Sequence, residues 1–171
     1  MDINSIYKRR SIKKYKNKDV PLEILNKILD AGRAAPSGKN KQPWKFIVFK
    51  GMKKDEILNE MEKGILREKT GQAFLPDTKQ GIDDAENTVK IMREAPVVIM
   101  VLNPFGKNPF EAITADERAA EIVDSLSVGA AIENMLIAAY DLGIGSLWVG
   151  NTFFAYNELI NYIGEKGQLL C

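Results

Sequence analysis

The sequence predicts one domain of mixed helix and strand, and three observations carry that expectation. Its 171 residues, 45% hydrophobic and 27% charged, suffice for one well-buried core. Apolar residues recur at helical spacing in several segments, while residues 44–50 and 96–103 carry strand-like patterns between them. No repeat or low-complexity tract interrupts this alternation.

Taken in order, residues 2–9 read as a short helix, and Pro21 opens a second in which Leu22, Leu25, Ile28 and Leu29 share one face. "WKFIVFK", residues 44–50, alternates apolar with smaller or polar groups and reads as a strand. A helix is expected near residues 52–63. Residues 65–83, which include "GQAFLPDTKQG", lose all periodicity and are expected to form an irregular excursion or lid within a single domain over residues 1–171. A helix near residues 84–94 then leads into "PVVIMVLN", a continuous apolar run of the kind buried on both faces of a sheet. The longest helix is expected over residues 125–142, where Val128, Ala131, Ile132, Met135, Ala139 and Leu142 make a stripe suited to a core or a dimer interface. Gly143 would cap it. "IGSLWVGN" follows as a short strand, residues 155–163 as a last helix, and "GQLLC" as the start of another strand.

Composition removes several kinds of chemistry. With no histidine and one cysteine, Cys171, the sequence cannot supply a Ser-His-Asp triad, a Cys-His pair or a His/Cys zinc site. Demanding chemistry is therefore expected from a cofactor. Asp83 and Asp84 are adjacent acids in polar sequence and read as solvated surface. The apolar run "APVVIMVL" is far shorter than the roughly 20 residues of a membrane span, and "MDINSIYKRR" lacks the apolar middle of a signal peptide. A cytoplasmic protein without membrane contact is expected.

Two polar clusters stand apart from this layout. In "KRRSIKKYKNK", residues 8–18, basic side chains surround Ser11, which suits a solvated face, nucleic acid or a single phosphate. A balance of 24 basic against 23 acidic residues, with only Tyr15 among the basic groups, disfavours nucleic acid. The planar fork of arginine and a serine hydroxyl favour phosphate. In "RAAPSGKNKQPWKFIVFK", Pro36 and Pro43 stiffen a loop, Gly38 permits close backbone approach, and Ser37, Asn40 and Gln42 offer donors and acceptors to a flat polar ring edge. The same residues also serve as ordinary turn formers.

"RRSIKKY", "AAPSGKNKQPWKFIVF" and "AAYDLGIGSLWVGN" together resemble the three signatures of the FMN-dependent nitroreductase family, in the same order and at similar spacing, across residues 3–163. The resemblance implies an α+β fold, with a central, mainly antiparallel sheet flanked by helices, in an intertwined homodimer with FMN sites at the interface. It implies that Arg9, Ser11 and Lys13, with Arg10 close by, hold the FMN phosphate and ribityl chain. Pro36, Ser37, Gly38, Asn40 and Gln42 would reach the flavin from the partner subunit. Leu147, Trp148, Val149 and Gly150 would lie along the isoalloxazine, with a backbone N–H of Val149 or Gly150 on flavin N5.

The implied activity is hydride transfer from NAD(P)H through the flavin to a nitroaromatic, quinone or similar small oxidant, with no catalytic side chain required. Relatives continue past the last helix into a further strand and a tail that carries a basic phosphate ligand to the partner. The sequence ends at "GQLLC", so that strand and tail are expected to be lacking and FMN retention to be weaker. A flavin-binding storage or sensing protein without turnover would share all three signatures. A small basic nucleic-acid-binding module is the more distant alternative.

Overall fold

The computed structural model describes residues 3–71 and 73–171. Its centre is β2 (Val97–Asn103), paired antiparallel on one side with β1 (Lys45–Lys50), from Lys45 opposite Leu102 to Lys50 opposite Val97. On the other side lies β3 (Gln168–Leu169), with Leu169 opposite Leu102. The sheet order is β1-β2-β3. Because β2 has a neighbour on each side and helices on each face, it can be apolar without alternation.

Side-chain alternation sorts the strands between two cores. Ile47 and Phe49 of β1, with Val98, Met100 and Leu102 of β2, face α3 (Gly51–Lys69), α4 (Ile82–Glu94) and α6 (Tyr156–Ile163), where Ile57, Leu58, Met61, Val89 and Leu159 are buried. Phe46 and Val48, with Val97 and Ile99, face α2 (Leu22–Arg33) and α5 (Ala115–Asp141) through Leu25, Leu29, Met135 and Ala139. The remaining helix, α1 (Asn4–Lys8), packs near α5.

Local chemistry explains the element ends. Burial of Leu25, Ile28, Leu29 and Gly32 along one face of α2 lets it lie so close to α5 that a Cβ on Gly32 would meet Met135 Cγ at 2.8 Å. Lys54 of α3 is buried, and its ammonium donates to the carbonyls of Arg93 and Ala95, each at 2.8 Å, satisfying the end of α4. Thr114 and Glu117 form a capping box at the start of α5, with the Glu117 N–H on Thr114 Oγ1 at 3.2 Å and the Thr114 N–H on the Glu117 carboxylate at 2.8 Å. That box starts α5 ten residues before the expected residue 125. Over its 27 residues, α5 is long and apolar enough to cross a membrane by length and composition, and half of its apolar window is buried inside the fold.

Two other expectations shift, and one pair of alternatives is decided. Helix α3 continues through residue 69, beyond the expected 63, so the irregular stretch begins only after it and residues 73–75 lead into a 3-10 helix, Pro76–Gly81. Glu68, buried at the end of α3, accepts the N–H groups of Phe74 and Leu75 at 2.9 and 3.2 Å, while the Arg67 guanidinium lies 4.2 Å from the Phe74 ring. The segment is thereby tied to the helix before it. "IGSLWVGN" is not a strand; it forms a single parallel bridge, at Ser146. The stripe through Ala131 and Ala139 is buried within the chain itself, so it is core and offers nothing to a partner.

Two outcomes follow. A Cβ on Gly64 would fall 2.4 Å from both Cα and Cβ of Ala155, so Gly64→Ala should cost about 1–3 kcal/mol or more, read as a lower urea midpoint at unchanged slope. The Glu117 carboxyl is pulled down from 4.5 to about 2 by Lys107 and by the Thr114 N–H and hydroxyl. A depressed carboxyl contributes its stability above the unfolded value and loses it as pH falls through the folded one. NMR titration of the Glu117 carboxyl should place its midpoint near pH 2, and a midpoint near 4.5 would mean the box is not formed.

Candidate functional site

The three signature segments singled out in the sequence all lie against α5. The first, residues 9–15, leaves α1 as an extended arm. Ser11 pairs with Ser146 in the parallel bridge, and the Ile12 N–H donates to the Ser146 carbonyl at 2.9 Å. Gly145 eases this approach, because a Cβ on it would lie 3.0 Å from Ile12 Cγ2, closer than ordinary contact. The basic arm and the 147–150 turn are thus stitched side by side. Tyr15 closes the arm by donating its hydroxyl to the Ile12 carbonyl at 2.8 Å, and burial pushes its phenol up.

Within the arm the basic groups differ in kind. Arg9 is half-buried, with Nε 3.4 Å from a Glu133 carboxylate oxygen of α5 but without hydrogen-bond geometry. That Nε–H is a buried donor with no hydrogen-bond partner among the described residues. Such a group is costly to leave unpaired. Arg10 turns back, donating to the carbonyls of Tyr7 and Arg9 at 2.7 and 2.8 Å. Ser11 and Lys13 are exposed.

The loop of residues 36–43 sits on α5 about two turns before Glu133. Its bed is the Val123–Ser127 turn: the Gly38 N–H donates to Ser127 Oγ at 3.3 Å, and a Cβ on Gly38 would lie 2.8 Å from Val123 Cγ1. Lys41 donates to the buried Asp124 carboxylate at 2.6 Å and lies 4.5 Å from the Phe105 ring centre. Inside the loop, Ser37 Oγ accepts the Gln42 N–H at 2.9 Å, and Gln42 Nε2 donates to Asn40 Oδ1 at 3.1 Å. Lys39, Asn40 and Gln42 all have left-handed backbones, with φ of 54°, 54° and 51°. Each costs a non-glycine residue roughly 1–2 kcal/mol, although asparagine bears it more easily. Pro36, Gly38, Asn40 and Gln42 are exposed and Ser37 is half-buried.

The third segment presents Trp148 and Gly150 to solvent, with Leu147 and Val149 half-buried. The Trp148 ring passes over Gly129 of α5, where a Cβ would sit 3.8 Å from Cη2. Arm and turn are therefore joined directly. The loop shares their helix, but no hydrogen bond or ion pair among the described residues links it to Arg9 or Ser11.

The sequence model of the nitroreductase family matches residues 6–171. The chain belongs to the nitroreductase family. It is 32% identical over 148 residues, 86% of its length, to a protein of Archaeoglobus fulgidus named as an NADH dehydrogenase/NAD(P)H nitroreductase, covering 66% of that protein. An iodotyrosine deiodinase of Hydra vulgaris is 27% identical over 94% of this chain, which covers 58% of the deiodinase. The chain thus spans about six tenths of the length of these relatives. Among solved structures, a BluB-like flavoprotein from Clostridium difficile superposes with a TM-score of 0.71 at 30% identity, over 99% of this chain and 86% of the other. The helix-covered antiparallel sheet is accordingly the nitroreductase-like fold.

In this nitroreductase-family chain, sequence reading missed what α5 contributes. Glu133, Asp124 and Ser127 hold Arg9, Lys41 and Gly38, yet each looks like an ordinary polar residue on a helix. Ser127 and Glu133 already lay on the expected helix, and the "TADE" cap at residues 114–117 was the available signal that it begins early enough to supply Asp124 too. A direct check of the stitched arm is Gly145→Val, whose side chain would push Ile12 away. Trypsin should then cut the basic arm between Lys13 and Lys18 several-fold faster than in the parent. An unchanged rate would mean that the bridge does not hold the arm.

Proposed function

We propose that this chain binds FMN and uses it to pass hydride from NAD(P)H to a small oxidant such as a nitroaromatic or a quinone. The observation that carries the reading is the bridge between Ser11 and Ser146, which sets Arg9, whose buried Nε–H lies 3.4 Å from Glu133 without a hydrogen bond, in the same neighbourhood as the 147–150 turn. An anion with several acceptor oxygens suits that donor, and a flat ring suits the turn beyond it. The residues present therefore fit a flavin nucleotide. A protein from Desulfovibrio desulfuricans, 26% identical over 98% of this chain with a TM-score of 0.69, was solved in complex with FMN, which supports the reading.

In this reading Arg9 and Ser11 bind the phosphate, with Lys13 and Arg10 adding positive charge. Bound FMN would supply the hydride-relay chemistry. The chain's own part is to bind, to orient and to exclude water. Leu147, Trp148, Val149 and Gly150 form one wall of the ring site, and the backbone N–H of Val149 or Gly150 is the donor available to the ring nitrogen N5. Basic groups nearby favour the reduced, anionic form of the cofactor. Pro36, Ser37, Gly38, Asn40 and Gln42 offer a stiff polar edge to a second side of a flavin.

The same reading assigns the loop to the neighbouring subunit's site in a homodimer. The surface available for that contact is the outer side of α5, where Ile122, Val123 and Leu126 are 53%, 50% and 71% exposed, next to Trp148 at 47%. A symmetric pair would cover it.

Purified protein mixed with FMN should retain the visible flavin bands after desalting, and a colourless protein silent in FMN calorimetry would end this reading. Arg9→Ala should weaken FMN by about tenfold to a hundredfold, the loss of one charge-assisted phosphate contact, whereas Lys16→Ala should change it little. Steady-state kinetics with NAD(P)H and a quinone should give parallel double-reciprocal plots, since both substrates would use one ring face in turn. Intersecting plots would contradict the shared face.

A further inference from the structure

We infer that Asp124 of α5 is a positioning residue, whose carboxylate holds the strained 37–42 loop in its ligand-ready shape through Lys41. The inference deepens, and rests on, the reading of that loop as part of an FMN cradle. Three observations converge on it. The loop keeps three non-glycine residues, Lys39, Asn40 and Gln42, in left-handed conformations within four positions. A backbone of that kind persists only where its surroundings over-determine it. The bonds internal to the loop, Gln42 N–H to Ser37 Oγ and Gln42 Nε2 to Asn40 Oδ1, tie it to itself and leave it free to move as a unit.

What fixes it to the rest of the molecule is the α5 bed, and Asp124 is the charged part of that bed. Its side chain is nearly all buried while that of Lys41 is more than a third exposed. The pairing at 2.6 Å thus pins a mobile cation to a fixed anion. The fixed end is itself braced: Asn103 at the end of β2, fully buried, points its Nδ2 at the same carboxylate at 3.4 Å, and its Oδ1 accepts the Phe105 N–H at 3.0 Å. Phe105 in turn lies under the Lys41 ammonium. The Gly38 N–H on Ser127 is the second attachment, longer and uncharged. Removing the Asp124 charge leaves that 3.3 Å bond as the loop's one hydrogen bond to α5 among the described residues, and the loop relaxes toward right-handed backbone, carrying Asn40 and Gln42 out of place.

The test uses the whole chain and three variants, Asp124→Asn, Lys39→Gly and the two combined. Flavin fluorescence quenching should show Asp124→Asn weakening FMN roughly tenfold. Trypsin should cut the FMN-free protein after Lys39 and Lys41 faster than it cuts the parent. Lys39→Gly should then restore most of the lost affinity in the double variant, because glycine holds a positive φ at no steric cost. A residue that merely stabilised the core would lower the melting temperature, and no glycine in the loop would recover binding.

Where Asp124→Asn does not fold, Lys41→Gln removes the same pair from its exposed side and should give the same loss of FMN affinity and the same faster cut after Lys39. Affinity and cutting rate both unchanged, or a loss that Lys39→Gly does not recover, would overturn the inference. Should the parent bind no FMN, the cradle reading falls by itself, and the trypsin rates after Lys41 alone, with and without Lys39→Gly, decide the role of Asp124.

Discussion

The arrangement depends on the burial of one side of α5. Val128, Ala131, Ile132, Met135 and Ala139 lock the helix onto α2 and the sheet, and small residues at Ala131, Ala139 and Gly32 permit the close approach. With that side fixed, its buried polar members Asp124 and Ser127, and Glu133 on the opposite side, become rigid fixtures. Arm, loop and turn have little regular structure of their own and take their positions from the helix.

Two kinds of attachment divide the work. The arm and the 147–150 turn are joined by backbone, through Ser11 and Ser146, so their spacing is insensitive to most side-chain changes. The loop is held by side chains, through Ser127 and Asp124, and it stores backbone strain. Strain in a loop that carries Asn40 and Gln42 at the surface has no stabilising purpose for the fold, which gains nothing from left-handed lysine or glutamine. Its persistence is easier to understand where the exposed groups must meet something of fixed shape.

The regular elements were largely legible in the sequence for one physical reason: burial writes a period. The apolar centre of "KFIVFK" and the unbroken "VVIMVL" both follow from strands that have a helical layer on each face. The first turns of α5 were not legible by period, because "ADERAAE" lies over solvent and is set by a cap instead. "IGSLWVGN" misled in the opposite direction. Its apolar residues are half-buried at the edge of the fold, with Trp148 exposed, and glycines 143 and 145 allow a path that touches the arm at only one rung. The site residues were legible as segments, since arginine, serine, glycine and asparagine announce possible chemistry. The fixtures were not, since nothing in a helical aspartate or serine says that a loop some eighty residues away in sequence will rest on it.

The absence of histidine fits an arrangement whose own part is posture. A chain without an imidazole has few groups that exchange protons readily near neutral pH, so in the flavin reading its contribution is charge, shape and exclusion of water around a group that brings its own reactivity. Such a contribution works only when the surfaces are set in advance, because any reorganisation at the moment of reaction is subtracted from the gain. A backbone-stitched arm, a strained loop pinned from below and a tryptophan laid across a glycine of the central helix are three ways of setting surfaces in advance. All three draw their rigidity from the buried stripe of α5.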